Sequence, residues 1–152
     1  MDSETHDIQL ACFNLGDNLF AIDIMRIKEI ILPQKISSLP RASRILEGVI
    51  NLRGSIIPVM DLRKHFGMPE ATAGNKGKLL IVSLARQILA LSVDNVMEVI
   101  TIPAKDIMPP VETADGIGMD HLLGVCLSEG RVFMILDIDS LLGPSECREI
   151  DC

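Results

Sequence analysis

Apolar residues along this chain come in short runs broken by turn signals. Residues 8–13 alternate in part, and Gly16-Asp17-Asn18 marks a turn before the run 19–24. From Phe20 through Ile22 to Ile24 the apolar period is two; it then slips, giving Ile27, Ile30 and Ile31. That second spacing would also suit a helix. The matching residues further along, Val93, Val96, Val99 and Ile100, favour a strand because they are β-branched, with a bulge at Met25-Arg26 and at Asp94-Asn95. The run 46–52, then Arg53-Gly54, then 55–60 predicts a hairpin with positive φ at Gly54. Asp61 follows and predicts an N-cap on a short helical turn over 62–66, ended by Gly67.

The pattern occurs twice. Residues 18–31 lie over 87–100 at an offset of 69, matching Ala21 with Ala90, Glu29 with Glu98 and Ile31 with Ile100. Residues 48–67 lie over 124–143 at an offset of 76, matching Gly48, Val49, Gly54, Asp61 and Gly67 with Gly124, Val125, Gly130, Asp137 and Gly143. The second copy thus holds seven extra residues, assigned to the polar stretch 112–120. The joint falls in 68–78, which is poor in large apolar residues.

About five short strands per copy, without a long helical period, predict an all-β protein of two small barrels, with short helical turns after the last strand of each. The expected division is 8–68 and 77–143, with tails at 1–7 and 144–152. Each half is near the lower size limit for an independent core, so the two should pack together with a groove between them. A terminal strand crossing from one barrel into the other stays open.

Composition narrows the function. Hydrophobic residues make up 48%, but the aromatics are four Phe, with no Trp or Tyr, which predicts an aliphatic core and argues against base-stacking platforms. Fourteen basic and 21 acidic residues leave a net charge of −7, the wrong sign for generic nucleic-acid or anionic-lipid binding. The acidic N-terminus lacks the basic and apolar regions of a signal peptide, and the apolar region 79–93 is too short and polar to span a bilayer. Cys12 and Cys126 lie in apolar runs and read as core fillers, while Cys147 and Cys152 lie in the tail; reduced thiols and a cytosolic setting follow.

Candidate chemistry is sparse. His6, His65 and His121 have no partner at metal-ligand spacing. Residues 74–78 (Gly-Asn-Lys-Gly-Lys) fail as a phosphate loop on both flanks. No cofactor, metal or catalytic residue is assigned, and a non-enzymatic protein is expected. Arg53 reads first as a solvated turn arginine. Glu29, recurring as Glu98, reads first as an edge or outward-facing charge that blocks unwanted strand pairing.

The run 20–31 (FAIDIMRIKEII), Leu39-Pro40 and the run 48–63 (GVINLRGSIIPVMDLR) resemble CheW, the family of bacterial chemotaxis coupling proteins; with the weaker second half the resemblance spans residues 8–142. It implies two five-stranded SH3-like barrels and a cytoplasmic adaptor recruited to membrane-bound receptor arrays. The implied partners are the cytoplasmic tips of chemoreceptors and the regulatory domain of the histidine kinase CheA, with weak self-association in rings. Carried over by position, Arg53, Ile27 and Glu29 match residues implicated in receptor and kinase contacts. Ile24 and Ile30 match neighbouring apolar positions, and Val96 and Val99 follow by repeat as the other side of a receptor groove. At the second hairpin tip Leu127-Ser128-Glu129-Gly130 replaces Asn51-Leu52-Arg53-Gly54, so the two barrels should not bind the same surface. Related alternatives are a regulatory module cut from a larger kinase or coupling protein, and an adaptor of a non-motility array. The start at Met1 and the acidic tail favour a complete chain.

Overall fold

The computed structural model describes residues 6–38, 46–69, 77–85, 87–110 and 121–141. Its strands are β1 (Asp7–Leu15), β2 (Asn18–Asp23), β3 (Ile27–Ile31), β4 (Leu46–Leu52), β5 (Ser55–Asp61), β6 (Lys78–Ser83), β7 (Ile88–Val93), β8 (Asn95–Pro103), β9 (Leu122–Ser128) and β10 (Arg131–Leu136). Among the described residues, helix is confined to α1 (Leu62–His65), the 3-10 turns Ile24–Arg26, Ala104–Asp106 and Ile138–Ser140, and His121, also in 3-10 conformation.

The strands form two sheets of five. The first is ordered β8-β1-β2-β10-β9 and the second β3-β6-β7-β5-β4. Exchanging each strand for its counterpart in the other repeat turns one order into the other, so the repeat read in the sequence is reproduced in the topology. The sheets do not divide at 8–68 and 77–143, however. Each takes a hairpin from one copy (β1–β2 or β6–β7) and three strands from the other. The crossings occur where a strand with a bulge was expected. After β2 the chain makes the 3-10 turn Ile24–Arg26 and enters the other sheet as β3; after β7 it turns at Asp94 and returns as β8. The swapped hairpins join their hosts on both sides, through the parallel pairs β2–β10 and β5–β7 and the antiparallel pairs β1–β8 and β3–β6. A tight turn cannot make a parallel pair, and in each of these the two strands are not consecutive in the chain.

The exchange explains the near-continuous apolar runs. In β1, Leu10 and Cys12 face one barrel interior with Ile100, Cys126 and Phe133, while Phe13 and Leu15 face a third core between the sheets. In β6, Leu79 and Ile81 face the other barrel interior with Ile50 and Val59, while Leu80 and Val82 turn to the central core. Strands buried on both faces lose the alternation of a half-exposed sheet. The two barrel interiors are aliphatic except for Phe133, but the central core is not. Phe13, Phe20 and Phe66 stack there with centroids 5.6 and 5.5 Å apart, so three of the four aromatic residues lie at the joint between the sheets. Cys12 and Cys126 are fully buried, and burial pushes the Cys12 thiol up to about 12, as suits a core filler.

Asp61 caps α1 as expected, accepting from the backbone N–H groups of Arg63 at 2.9 Å and Lys64 at 3.4 Å. Its counterpart Asp137 precedes the 3-10 turn Ile138–Ser140, but its side chain makes no capping bond. That turn is closed instead by the Ser140 hydroxyl donating to the Asp137 carbonyl at 2.7 Å. The expected insertion at 112–120, Leu39-Pro40, Gly143 and the tail 144–152 lie outside the described residues.

Matched Gly48 and Gly124 have one cause. At each, an incoming segment crosses an edge strand and pairs with it, Ser37 with Val49 and Met108 with Val125. A Cβ on Gly48 would sit 2.1 Å from the Ser37 carbonyl oxygen, and one on Gly124 2.5 Å from that of Met108. Backbone atoms cannot yield as a flexible side chain can. Gly48→Ala and Gly124→Ala should each lower the unfolding free energy by about 2 kcal/mol or more, read by urea titration. A loss below about 0.5 kcal/mol would show that the crossing segments are not held against these strands.

Candidate functional site

The surface that the sequence singles out begins at the first crossing. The Asp23 carboxylate accepts from the Met25 N–H at 2.9 Å and so fixes the 3-10 turn. The turn presents Met25, 83% exposed, beside half-buried Ile24. Both border a hollow of about 450 Å³ with Ile8 and Asp23. Strand β3 follows as one edge of its sheet. Ile27 rests against the central core, whereas Ile30 and Leu32 are exposed. Val96 occupies the equivalent place on β8, also against the central core, and Val99 is exposed on β8 like Ile30 on β3.

Glu29 and Arg53 form an ion pair. It joins β3 to the β4–β5 tip, and β3 and β4 are the two edges of that sheet, so the pair spans the seam of the barrel. Arg53 has φ of +51° and is followed by Gly54 at +90°, the doubly positive geometry of a tight hairpin, with the Asn51 side chain accepting from the Gly54 N–H at 2.9 Å. A non-glycine residue in that region carries strain, and Arg53 sits there with its exposed guanidinium turned to Glu29. The second barrel repeats the device with different residues. Glu98 on β8 pairs with Arg131 on β10 at 2.8 Å, and Arg131 also lies over the Phe133 ring at 5.2 Å. Its tip residue is Glu129, at φ of +52°. Exposed Leu123, Leu127 and Val132 lie on the β9–β10 hairpin, where the first copy has Glu47, Asn51 and Ile56.

Arg53 and Glu29 are therefore brought into contact. Ile27 and Val96 abut one shared core from opposite sheets, Ile24 is half-buried at the 3-10 turn, and Ile30 and Val99 are exposed on different strands. Two inter-barrel ion pairs escaped sequence reasoning. Arg63 on α1 grips Asp94 at the β7–β8 crossing, with Nε to Oδ1 at 2.9 Å and Nη2 to Oδ2 at 2.5 Å. Asp94 also accepts from the Gly16 N–H in the other sheet's β1–β2 turn at 2.7 Å, and its own N–H donates to the Asn14 carbonyl at 3.1 Å. At the opposite crossing Arg26 donates to Asp139 at 2.6 Å and to the Ser83 carbonyl at 2.9 Å, while Asp139 accepts from the Ala85 N–H at 3.3 Å. Arg63 and Asp139 occupy the same repeat position, so the device recurs with its charges reversed. The available signal was a charge at each crossing, Arg26 and Asp94, inside otherwise apolar surroundings.

The Arg63 hydrogen bonds hold the Asp94 carboxyl below its usual range against the opposing effect of burial, helped by the Gly16 N–H. A depressed carboxyl stabilises the fold fully above its unfolded value, 3.8, and that stability is lost as pH falls through the lower folded value. Asp94→Asn leaves Arg63 buried without its charge partner and should cost about 3 kcal/mol at pH 7. The deficit should shrink below about pH 4 as the parent loses the same stabilisation. Urea midpoints measured from pH 7 downward test this, and a deficit constant with pH would refute it.

A family model described as the CheW-like domain matches residues 9–146. The chemotaxis protein CheW of Treponema pallidum is 34% identical over 146 residues, covering 93% of this chain and 86% of that protein. That of Rhizobium meliloti is 31% identical over 141 residues, covering 93% and 90%. The crystal structure of the scaffolding protein TtCheW from Thermoanaerobacter tengcongensis superposes with a TM-score of 0.84 at 29% identity, covering 96% of this chain and 94% of that one.

Proposed function

This chain belongs to the CheW family of chemotaxis scaffold proteins, and on that premise we propose that it is a non-enzymatic adaptor coupling chemoreceptors to the histidine kinase CheA. The observation that carries this reading is the pair of unlike faces on one body. One barrel offers Ile30 beside the Glu29–Arg53 pair; the other offers the β9–β10 hairpin with exposed Leu127 and Val132, and Glu129 at the tip where Arg53 stands in the first. An adaptor must hold two different proteins without exchanging them, and opposite tip charges penalise the wrong partner on each face.

In this reading the amphipathic helical tip of a receptor lays its apolar side against Ile24, Ile27 and Ile30, with Val96 and Val99 contributing from the other barrel. A barrel face docks the related regulatory domain of the kinase, and weak self-association builds rings. Arg53 and Glu29 set register and selectivity more than affinity. Signalling needs no bond chemistry: receptor state shifts the kinase equilibrium through contacts that differ between two states. Among the described residues no helix is long and apolar enough to cross a membrane. We place the protein in the cytoplasm, recruited to the membrane by its receptors.

Co-sedimentation with receptor-bearing membranes and CheA, with kinase activity measured in the pellet, tests the reading. Arg53→Ala and Ile30→Asp alter exposed side chains and should leave the circular dichroism spectrum and urea midpoint unchanged. Each should weaken co-sedimentation by about tenfold, equivalent to about 1.4 kcal/mol. Full kinase activation by both variants would overturn the assignment of these residues, and no effect of the parent protein on the kinase would overturn the adaptor role. Normal soft-agar spreading of a deletion strain would redirect the adaptor to a non-motility array.

A further inference from the structure

The two inter-barrel ion pairs are alike in position and unlike in setting. Arg63 and Asp94 are 14% and 7% exposed, and the arginine is further held by the Pro69 carbonyl at 2.8 Å. Arg26 and Asp139 are 33% and 46% exposed. A shielded, bidentate pair is little affected by salt or solvent competition, whereas an exposed single-contact pair is weak and readily screened. One crossing is therefore pinned and the other only fastened. The fastened one lies next to the proposed receptor strand: Arg26 ends the 3-10 turn that leads directly into β3. Its partner Asp139 belongs to the turn that follows β10 in the other sheet.

We propose that the Arg26–Asp139 pair is a releasable latch between the barrels, with the Arg63–Asp94 crossing as the fixed pivot, and that load on β3 opens or closes it. The transmitting role rests on the proposed receptor contact at β3; the latch itself does not. A partner pulling on Ile27 or Ile30 displaces Arg26 through one or a few peptide units. Arg26 touches both the β6–β7 turn, through Ser83, and the end of the β10 sheet, through Asp139. A small shift at β3 is thereby converted into a change in how the two barrels sit on their shared core, a hinge movement about the buried pair.

Two amides report the two crossings: Ala85 donates to Asp139 and Gly16 donates to Asp94. Hydrogen exchange of the free protein is followed while ionic strength rises from about 0.1 M to about 1 M, over which the Debye length falls from about 10 Å to about 3 Å. Ala85 should exchange up to about fivefold faster, with Gly16 unchanged. Arg26→Gln, which leaves the Asp139 carboxylate in place as the acceptor for Ala85, should remove the salt response at Ala85. A response shared by both amides, or absent from Ala85, overturns the latch. A receptor-tip fragment is then added and backbone resonances are recorded. Shifts at residues 27–31 should be accompanied by shifts at 138–140 in the parent and not in Asp139→Asn. Shifts at 138–140 that survive in Asp139→Asn, or that never accompany those at 27–31, overturn transmission through the pair. No shift at 27–31 overturns the receptor reading instead, and the salt response still decides the latch.

Discussion

Two-sided burial of the β1–β2 and β6–β7 hairpins is the constraint on which the rest of this structure depends. A barrel of about 60 residues buries too little of its own surface to be secure. Here each barrel receives a hairpin from the other repeat, and that hairpin fills its host's interior with one face and the joint between the sheets with the other. Neither barrel is a contiguous piece of chain. Unfolding one would expose the host face of the borrowed hairpin and the central core together, so the two are expected to act as one cooperative unit.

The crossings that make the exchange possible also gather the charges. A chain leaving one sheet for the other turns where it has no ladder partner, and its polar groups must be satisfied by other means. Asp94 does so by collecting Arg63 and the Gly16 N–H; Arg26 does so with Ser83 and Asp139. The electrostatics of the joint thus follow from its topology. The pair Glu29–Arg53 arises separately, where one barrel's sheet meets its other edge, and Glu98–Arg131 joins the edge strand β8 of the other barrel to β10. An adaptor made this way presents distinct faces on a frame whose two halves are covalently and physically interleaved, so a contact on one half has a short route to the other.

Much of this was legible in the residues. Matched Gly54 and Gly130 mark two tight hairpins, matched Asp61 and Asp137 mark the start of two short turns, and alternating β-branched residues mark strands. The slip in period at Met25-Arg26 was visible as well, but a bulge and a crossing leave the same trace in one dimension, since both interrupt alternation for a residue or two. The same ambiguity hid the role of Asp94, which reads as a polar break in a strand until Arg63, 31 positions earlier in sequence, is placed against it. The three stacked phenylalanines were missed for a related reason: an apolar run buried on both faces does not say which core each side chain enters.

The sequence by itself determined the hairpins, their turns, the two-fold repeat and the family, because these rest on local periodicity, glycine and aspartate chemistry, and residue patterns carried along a single stretch of chain. The tertiary structure alone decided which strands share a barrel, that the matched glycines serve crossing backbones, and that Arg63 and Asp139 answer each other across the joint with opposite charge. These depend on contacts between residues far apart in sequence. A repeat dictates that two halves are alike, but whether they close on themselves or on each other is settled by where their buried faces can be covered, and that is a property of the assembled sheets.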